Sequence, residues 1–394
     1  MQKQQVKGWH VWVTLAAIFF VSLNLRPSVT SVGPLLNTIT EELNISSTQV
    51  SLLTSIPVFC MGLFAPLAVP FQKKLGYKWS INLLLVAIGL ATVTRIWFDS
   101  YLALIFTSFI AGVAIAIISP MINAFIKVRF PHRLAPVIGL YSLATGAGAT
   151  ISAGFTGVFF EKFNSWQIAL GLWGLLTIIA IVLWTFAAGG KEEAEEIIEE
   201  DGQVRNPWKN KTAWYILLFF GFQTSLFFSL TTWLPSIAQE HGFPLVTASA
   251  VLTTMSLVQI IGNLFIPMLI SKFPSRIMWL YILLTIGSVG AGILFINADW
   301  AMWVGAVILG IALAGLFPIG LMLPLDEAKN NGEASSWSSM VLAGGFMMSA
   351  IVPLLIGVVY DNVGTHLVSK WIFIILFALQ FISVYMYQVN KRNV

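Results

Sequence analysis

Residues 10–36 read HVWVTLAAIFFVSLNLRPSVTSVGPLL. The run is long and apolar enough to cross about 30 Å of hydrocarbon. Near its middle lies one cation, Arg26, preceded by Asn24 and followed at once by Pro27. An ionised side chain at membrane depth costs at least about 3 kcal/mol on insertion scales, so it needs a partner or a polar cavity. No Asp or Glu falls inside any apolar segment; all 17 acids map to loops or segment ends. A buried cation without a counter-carboxylate points to an anion that the chain does not supply, namely a substrate.

Working outward, the whole chain has this apolar character. It is 57% hydrophobic and 10% charged, with mean hydropathy +0.85, where a soluble domain carries about 25% charged residues. Twelve spans are expected, at 9–39, 47–71, 79–98, 101–127, 135–160, 166–188, 212–239, 246–272, 276–297, 300–325, 333–361 and 367–390. The first lacks a small-residue cleavage site and is followed closely by a second, so it reads as a retained helix. The single Cys60 lies in the second span and reads as a packing residue.

Charge sets the expected orientation. With both termini cytoplasmic, 17 of the 21 Lys and Arg residues fall on the cytoplasmic side and only Lys162 and Lys370 in outer loops; Arg26 and Arg95 make up the rest. The net charge of +4 is therefore a topology signal, not a sign of nucleic-acid binding. The longest polar stretch, KEEAEEIIEEDGQVRNPWK at 191–209, holds seven acids between Glu192 and Asp201 and reads as a solvated cytoplasmic linker. It divides the chain into an N-terminal bundle at 1–188, a linker at 189–211 and a C-terminal bundle at 212–394. The halves look like weak repeats. Pro34 and Pro235 end the first and seventh spans at matching places, and LLTS…MGLFAP in the second span parallels VLTT…IGNLFIP in the eighth. Parallel six-helix halves of this kind carry a midplane site between them.

Several strings resemble one transporter group. They are NLRPSVTSVGPLL (24–36), KVRFPHR (127–133), GLYS (139–142), SWQIALGLWGLL (165–176) and TTWLPSI (231–237). The architecture resembles the major facilitator superfamily, and these strings are similar to its cyanate-transporter branch, the CynX/NimT family. The resemblance runs through essentially the whole chain, and the NLRP string is its most specific part. It implies an all-α membrane fold of two six-helix pseudo-repeat bundles. Some positions depart from the pattern. The loop VPFQKKLGYK (69–78) has Lys73 where the superfamily usually has Asp. Trp166-Gln167 stands where the branch usually has Trp-Arg, and EASSWSSMVLAGGF (333–346) lacks the branch's Gln-containing patch. These departures bear on the substrate more than on the fold.

Arg26 leads the candidate binding residues, because a guanidinium stays protonated and can hold a planar anion through two donors. Pro27 removes a backbone donor and could leave the Leu23 carbonyl facing the cavity. Asn24 is a candidate to orient Arg26, and Ser22, Thr30 and Gly33 share its helical face. Further polar groups at mid-span are Asn123, Tyr141, Gln223, Gln259 and Asn263, for which hydrogen bonding between helices is the competing reading. Tyr141 stands out because it lies in the GLYS string. Trp233 and Trp337 could wall the site; interfacial anchoring is their alternative. The Gly-rich stretch 139–157 has no GKS or GKT and no preceding strand, so it reads as a helix-packing surface and not a phosphate loop.

No nucleophile–base pair, metal-ligand spacing or ATP motif is evident, and no catalytic residue, metal or cofactor is expected. The four histidines lie near ends or in loops. The expectation is a monomeric, multi-pass secondary transporter of the cytoplasmic membrane, surrounded by lipid and working by alternating access. Its substrate would be a small, cyanate-like anion or a weakly acidic polar compound. A proton is the candidate coupling partner. The rival reading is an exporter of nitroimidazole-like or other drugs, which the 29 Phe and 15 Trp permit. A membrane receptor would call for a soluble domain, and an embedded enzyme for a catalytic constellation.

Overall fold

The helix break that Arg26 and Pro27 foretell is present. The computed structural model describes residues 8–188, 205–272 and 275–392. The first span runs as helix Gly8–Leu23, a turn through Arg26, one helical turn Pro27–Thr30, a 3-10 turn Gly33–Leu35 and a last helix Leu36–Leu43. Pro27 and Pro34 each lack the N–H that the carbonyl four residues earlier would accept, and each stands in the first turn of a new helical segment.

Every regular element among the described residues is helical. Eleven helices there are long and apolar enough to cross a membrane. Those used below are the first, Val11–Leu43; the fifth, Pro136–Phe163; the seventh, Lys211–Glu240; the eighth, Leu245–Asn263; the eleventh, Glu333–Val363; and the twelfth, Leu367–Arg392. The second is the shorter apolar helix Ser47–Leu63, which stops sooner than the expected 47–71. Pro66 sits in the 3-10 turn Ala65–Leu67 that follows, and the next helix, Ala68–Val93, breaks at Gly76. Gly76 has φ 71°, a left-handed turn that suits glycine, and it separates the second span from the third. The acidic run Glu192–Asp201 and most of the inter-half linker lie outside the described residues.

Helix ends follow their local chemistry. Ser46 and Gln49 form a reciprocal capping box at the start of the second span. Asn210, Ser275 and Asn330 cap later helices with side-chain oxygens. Asn44, Asn164, Gly242 and Gly364 take positive φ between consecutive spans, all at the end of the bundle away from the chain termini, called distal below. Two of these turns follow the first and seventh spans and two follow the fifth and eleventh, so corresponding corners of the halves are built alike.

The halves meet along three helix pairs: first with seventh, second with eleventh, fifth with eighth. Small residues set the last of these. A Cβ at Gly154 or Gly157 would lie 2.8 Å from the hydroxyl of Thr253 or Ser249 in the eighth span, so the Gly-rich stretch is indeed a packing surface. The hydrogen bonds joining the halves cluster toward the distal end. Asn37 accepts from Ser236 at 2.8 Å and donates to Gln239 at 3.3 Å, and Thr232 donates to Thr54 at 3.2 Å. The Asp361 carboxylate accepts from the backbone N–H groups of Ser47 and Thr48 at 2.7 and 2.8 Å, and from the Thr48 hydroxyl. The first span changes allegiance at its break. Ile18, Val21 and Leu25 pack in a core of first-half residues, whereas Val32, Leu35 and Ile39 share a core with the seventh to twelfth spans.

Candidate functional site

Arg26 sits 15 residues into the 33-residue first span, close to half depth. It caps the short helix Pro27–Thr30, with Pro27 at the first turn and backbone angles φ −116°, ψ −38°. Its guanidinium lies over two rings of the other half, 5.7 Å from the centroid of Phe227 and 5.5 Å from that of Phe228. Tyr141 is within Coulombic reach, its hydroxyl among Ser119, Asn123 and Thr145. No described residue accepts a hydrogen bond from the Arg26 guanidinium. A pair of cation–π contacts, worth about 0.5–2 kcal/mol each, leaves the five N–H donors of that group available.

Arg95 is the instructive contrast. It is 1% exposed and every nitrogen of its guanidinium is engaged. Nε donates to the Thr107 hydroxyl at 3.2 Å, Nη1 to the Ser28 carbonyl at 3.1 Å and Nη2 to the Ser108 hydroxyl at 3.0 Å. The Ser28 carbonyl is orphaned by the helix break, because Val32 N–H turns instead to Val29. Arg95 therefore anchors the break from the third span. One buried arginine is structural and the other is chemically unsatisfied.

The remaining sequence candidates divide between this place and others. The Asn24 amide donates to the Phe20 carbonyl at 2.7 Å and the Leu176 carbonyl at 3.3 Å, so it ties the first span to the sixth rather than orienting Arg26. Thr30 bonds the Arg26 carbonyl at 3.0 Å and the Ser152 hydroxyl at 2.6 Å, joining the first span to the fifth. The Leu23 carbonyl, released by Pro27, does not face a cavity. It abuts Gly148, where any Cβ would collide with it. Tyr141 stays with Arg26, and Asn123 lies by the Tyr141 hydroxyl. Gln223 lies one helical turn before Phe227, on the same face of the seventh span; it is 0% exposed and neither amide atom has a partner. Gln259 precedes Ile260, whose side chain packs on Gly146 in the fifth span, two residues from the Gly148 contact with Leu23. Gln259 is thus near the depth of Arg26. Asn263, one turn further, has a buried carbonyl oxygen without a partner.

The two tryptophans are elsewhere. Trp233 Nε1 donates to the Pro353 carbonyl at 3.0 Å and its ring packs by Tyr360 and His366, in the distal seal. Trp337 Nε1 donates to the Arg205 carbonyl at 3.3 Å, and Arg205 lies 5.1 Å over its ring. Both indoles are held by the fold, because a buried indole N–H needs an acceptor and each finds a carbonyl. Sequence reasoning missed Phe227 and Phe228. Paired phenylalanines in a chain with 29 of them carry no signal of their own. The arrangement offers unengaged guanidinium donors, an aromatic floor, a phenol and an unpaired amide, drawn from both halves.

Known proteins give this arrangement a context. The sequence profile described as Major Facilitator Superfamily matches residues 15–350 and 237–393. An uncharacterized transporter, YycB of Bacillus subtilis (strain 168), is 27% identical over 368 residues, 93% of this chain and 90% of that one. The 2-nitroimidazole transporter of Escherichia coli (strain K12) is 27% identical over 357 residues, 89% of each chain. The cyanate transport protein CynX of Escherichia coli (strain K12) is 27% identical over 364 residues, 91% of this chain and 92% of the relative. A bacterial homolog of the human lysosomal transporter Spinster, solved inward-facing and unoccupied, shares the fold with TM-score 0.79 at 16% identity over 98% of both chains.

Proposed function

We propose that this chain, which belongs to the Major Facilitator Superfamily, binds a small anion or weakly acidic polar compound at Arg26 and carries it across the cytoplasmic membrane by alternating access. Membership in that family makes it a secondary transporter of a small molecule and a multi-pass membrane protein, not an enzyme. The observation that carries the anion reading is the Arg26 guanidinium: half-way through its span, at the seam of the halves, with no hydrogen-bond partner among the described residues. An anion with two adjacent acceptors would engage its planar fork. Tyr141, Asn123 and Gln223 are the neighbouring polar groups that would complete the site, with Gln259 and Asn263 at its margin. The ratio of 17 cytoplasmic to 2 outer basic residues supports the distal end as the outer face. On that orientation the hydrogen bonds between the halves close the outer side.

The second reading, transport of a nitroimidazole-like compound, is favoured by the phenylalanine pair, which offers a planar ring a surface beside the guanidinium. The name of one relative carries the same suggestion. Calorimetry on the purified protein with cyanate, nitrite and 2-nitroimidazole separates the two. Binding of the small anions alone supports the first reading, and binding of the ring compound alone the second. No binding of any of them sinks both.

A further inference from the structure

We propose that His366 is a proton-binding site through which external protons open the distal seal. His366 lies between the eleventh and twelfth spans, is 1% exposed, and is held on both ring nitrogens. Nε2 is 2.8 Å from the Ser236 hydroxyl and Nδ1 is 3.1 Å from the Ser369 hydroxyl. The ring stacks on Tyr360 at 4.2 Å, with Trp233 at 5.4 Å in a tilted contact that also reaches Tyr360.

A chain of hydrogen bonds fixes where the protons are. It starts from a carbonyl that can only accept, that of Pro34 in the first half. Gln239 Nε2 donates to it at 3.5 Å, so Gln239 Oε1 is free to accept from Asn37 Nδ2 at 3.3 Å. Asn37 Oδ1 then accepts the Ser236 hydroxyl proton at 2.8 Å. With that proton committed, Ser236 accepts from His366 Nε2–H. Nδ1 is left as the lone pair, accepting from Ser369. The relay, which crosses the seam three times, thus makes His366 Nε2–H the donor to Ser236 and leaves the lone pair of the neutral ring on Nδ1.

A second proton can go only to Nδ1. In the sealed state that places a charge in an apolar, aromatic pocket and obliges Ser369 to reverse from donor to acceptor. Burial holds the ring below its ordinary histidine range; the facing charges are Glu240 of the seventh span, which raises it, and Lys370 of the twelfth, which lowers it. Glu240 bonds the His366 backbone N–H at 2.8 Å and the Thr365 hydroxyl at 2.6 Å, so its carboxylate is engaged at the edge of the site rather than on the ring. The other titratable neighbours are the Tyr360 phenol and Asp361, and Asp361 is turned to Ser47 and Thr48. Parting Asn37 from Ser236 admits water to the ring and restores its ordinary titration, near 6.5. Protons then bind the parted state more tightly than the sealed one. By linkage, falling pH favours parting, starting near the ordinary histidine value and approaching tenfold per unit below it.

The test uses the full chain in lipid nanodiscs with Cys60→Ala and a reporter cysteine at Thr232, which is sealed against Thr54. Its alkylation rate is divided by that of a cysteine at the exposed Asn362 at the same pH, cancelling thiol titration. The ratio should rise about tenfold from pH 7.5 to 5.5 and stay flat in His366→Gln. Ser369→Ala, which removes the donor that competes for Nδ1 and leaves the ring in place, should move the transition to higher pH. It also decides the matter if His366→Gln does not fold. A flat wild-type ratio, an unaltered response in His366→Gln, or an unmoved transition in Ser369→Ala overturns the proposal.

Discussion

Replacing Arg26 with alanine separates a binding cation from a structural one, and the structure sets the size of the effect. The guanidinium makes no hydrogen bond to any described residue, so both donors of its fork are available to an anion. Two charge-assisted bonds at about 1.5–3 kcal/mol each, less the entropy of holding them, leave roughly 3–5 kcal/mol. That is about two to three and a half orders of magnitude in dissociation constant. Lysine restores the charge as a point donor without the fork and should recover about half of that free energy. Stability should move differently. Arg26→Ala loses two cation–π contacts at about 0.5–2 kcal/mol each and relieves an unpaired cation costing about 3 kcal/mol, so stability should fall by no more than about 1 kcal/mol and otherwise stay level or rise. Arg95→Ala strips three hydrogen bonds and re-exposes the orphan Ser28 carbonyl; it should cost about 2–4 kcal/mol and lower the melting temperature clearly. Calorimetry with the tightest ligand found, alongside thermal unfolding of all three variants, provides both readouts. Unchanged affinity in Arg26→Ala, or destabilisation as large as that of Arg95→Ala, would falsify the anion-site reading and make Arg26 a structural residue.

Gln223→Leu should raise the melting temperature while weakening ligand binding, since it removes two buried unpaired polar atoms at about 1–3 kcal/mol each; a fall in stability would mean that the amide is satisfied within the fold. Gly148→Ala should be destabilising by about 1–3 kcal/mol, because its Cβ meets the Leu23 carbonyl rather than a side chain that can yield; denaturant unfolding measures it. Asp361→Asn keeps the size of the side chain but removes its charge and replaces one of the two oxygens that accept from Ser47 and Thr48 with a donor; alkylation of a cysteine at Thr232 should quicken about 5- to 30-fold, for about 1–2 kcal/mol. An unchanged rate would assign the closure to packing alone.

Long-range hydropathy made the helices legible, and Pro27 announced the broken first span because a missing N–H is a local fact. Arg26 stood out for the same reason: one charge in an apolar run. Arg95 has the same composition-level signal but lies near a span end, and only the path of the Ser28 carbonyl reveals its work. His366 looked like a loop residue, since its partners Ser236 and Ser369 come from two different spans. Trp233 and Trp337 had the right chemistry for a pocket wall, but each indole's acceptor is a carbonyl more than 100 positions away. Asn24 and Thr30 share the span of Arg26 and yet serve the contacts with the sixth and fifth spans. Sequence spacing tells which face a residue shares, and not which neighbour occupies that face.

The guanidinium and the rings beneath it belong to opposite halves, which has a kinetic consequence. Each time the halves part at mid-depth, an empty carrier must pull Arg26 from Phe227 and Phe228 and leave its charge bare. A carrier loaded with an anion makes the same move with the charge already balanced. On the proposed anion cycle the empty return is therefore the slow leg, and flux should be quickest when ligand waits on both sides of the membrane. Counterflow of labelled against unlabelled ligand would outpace net uptake, and the protein would behave chiefly as an exchanger.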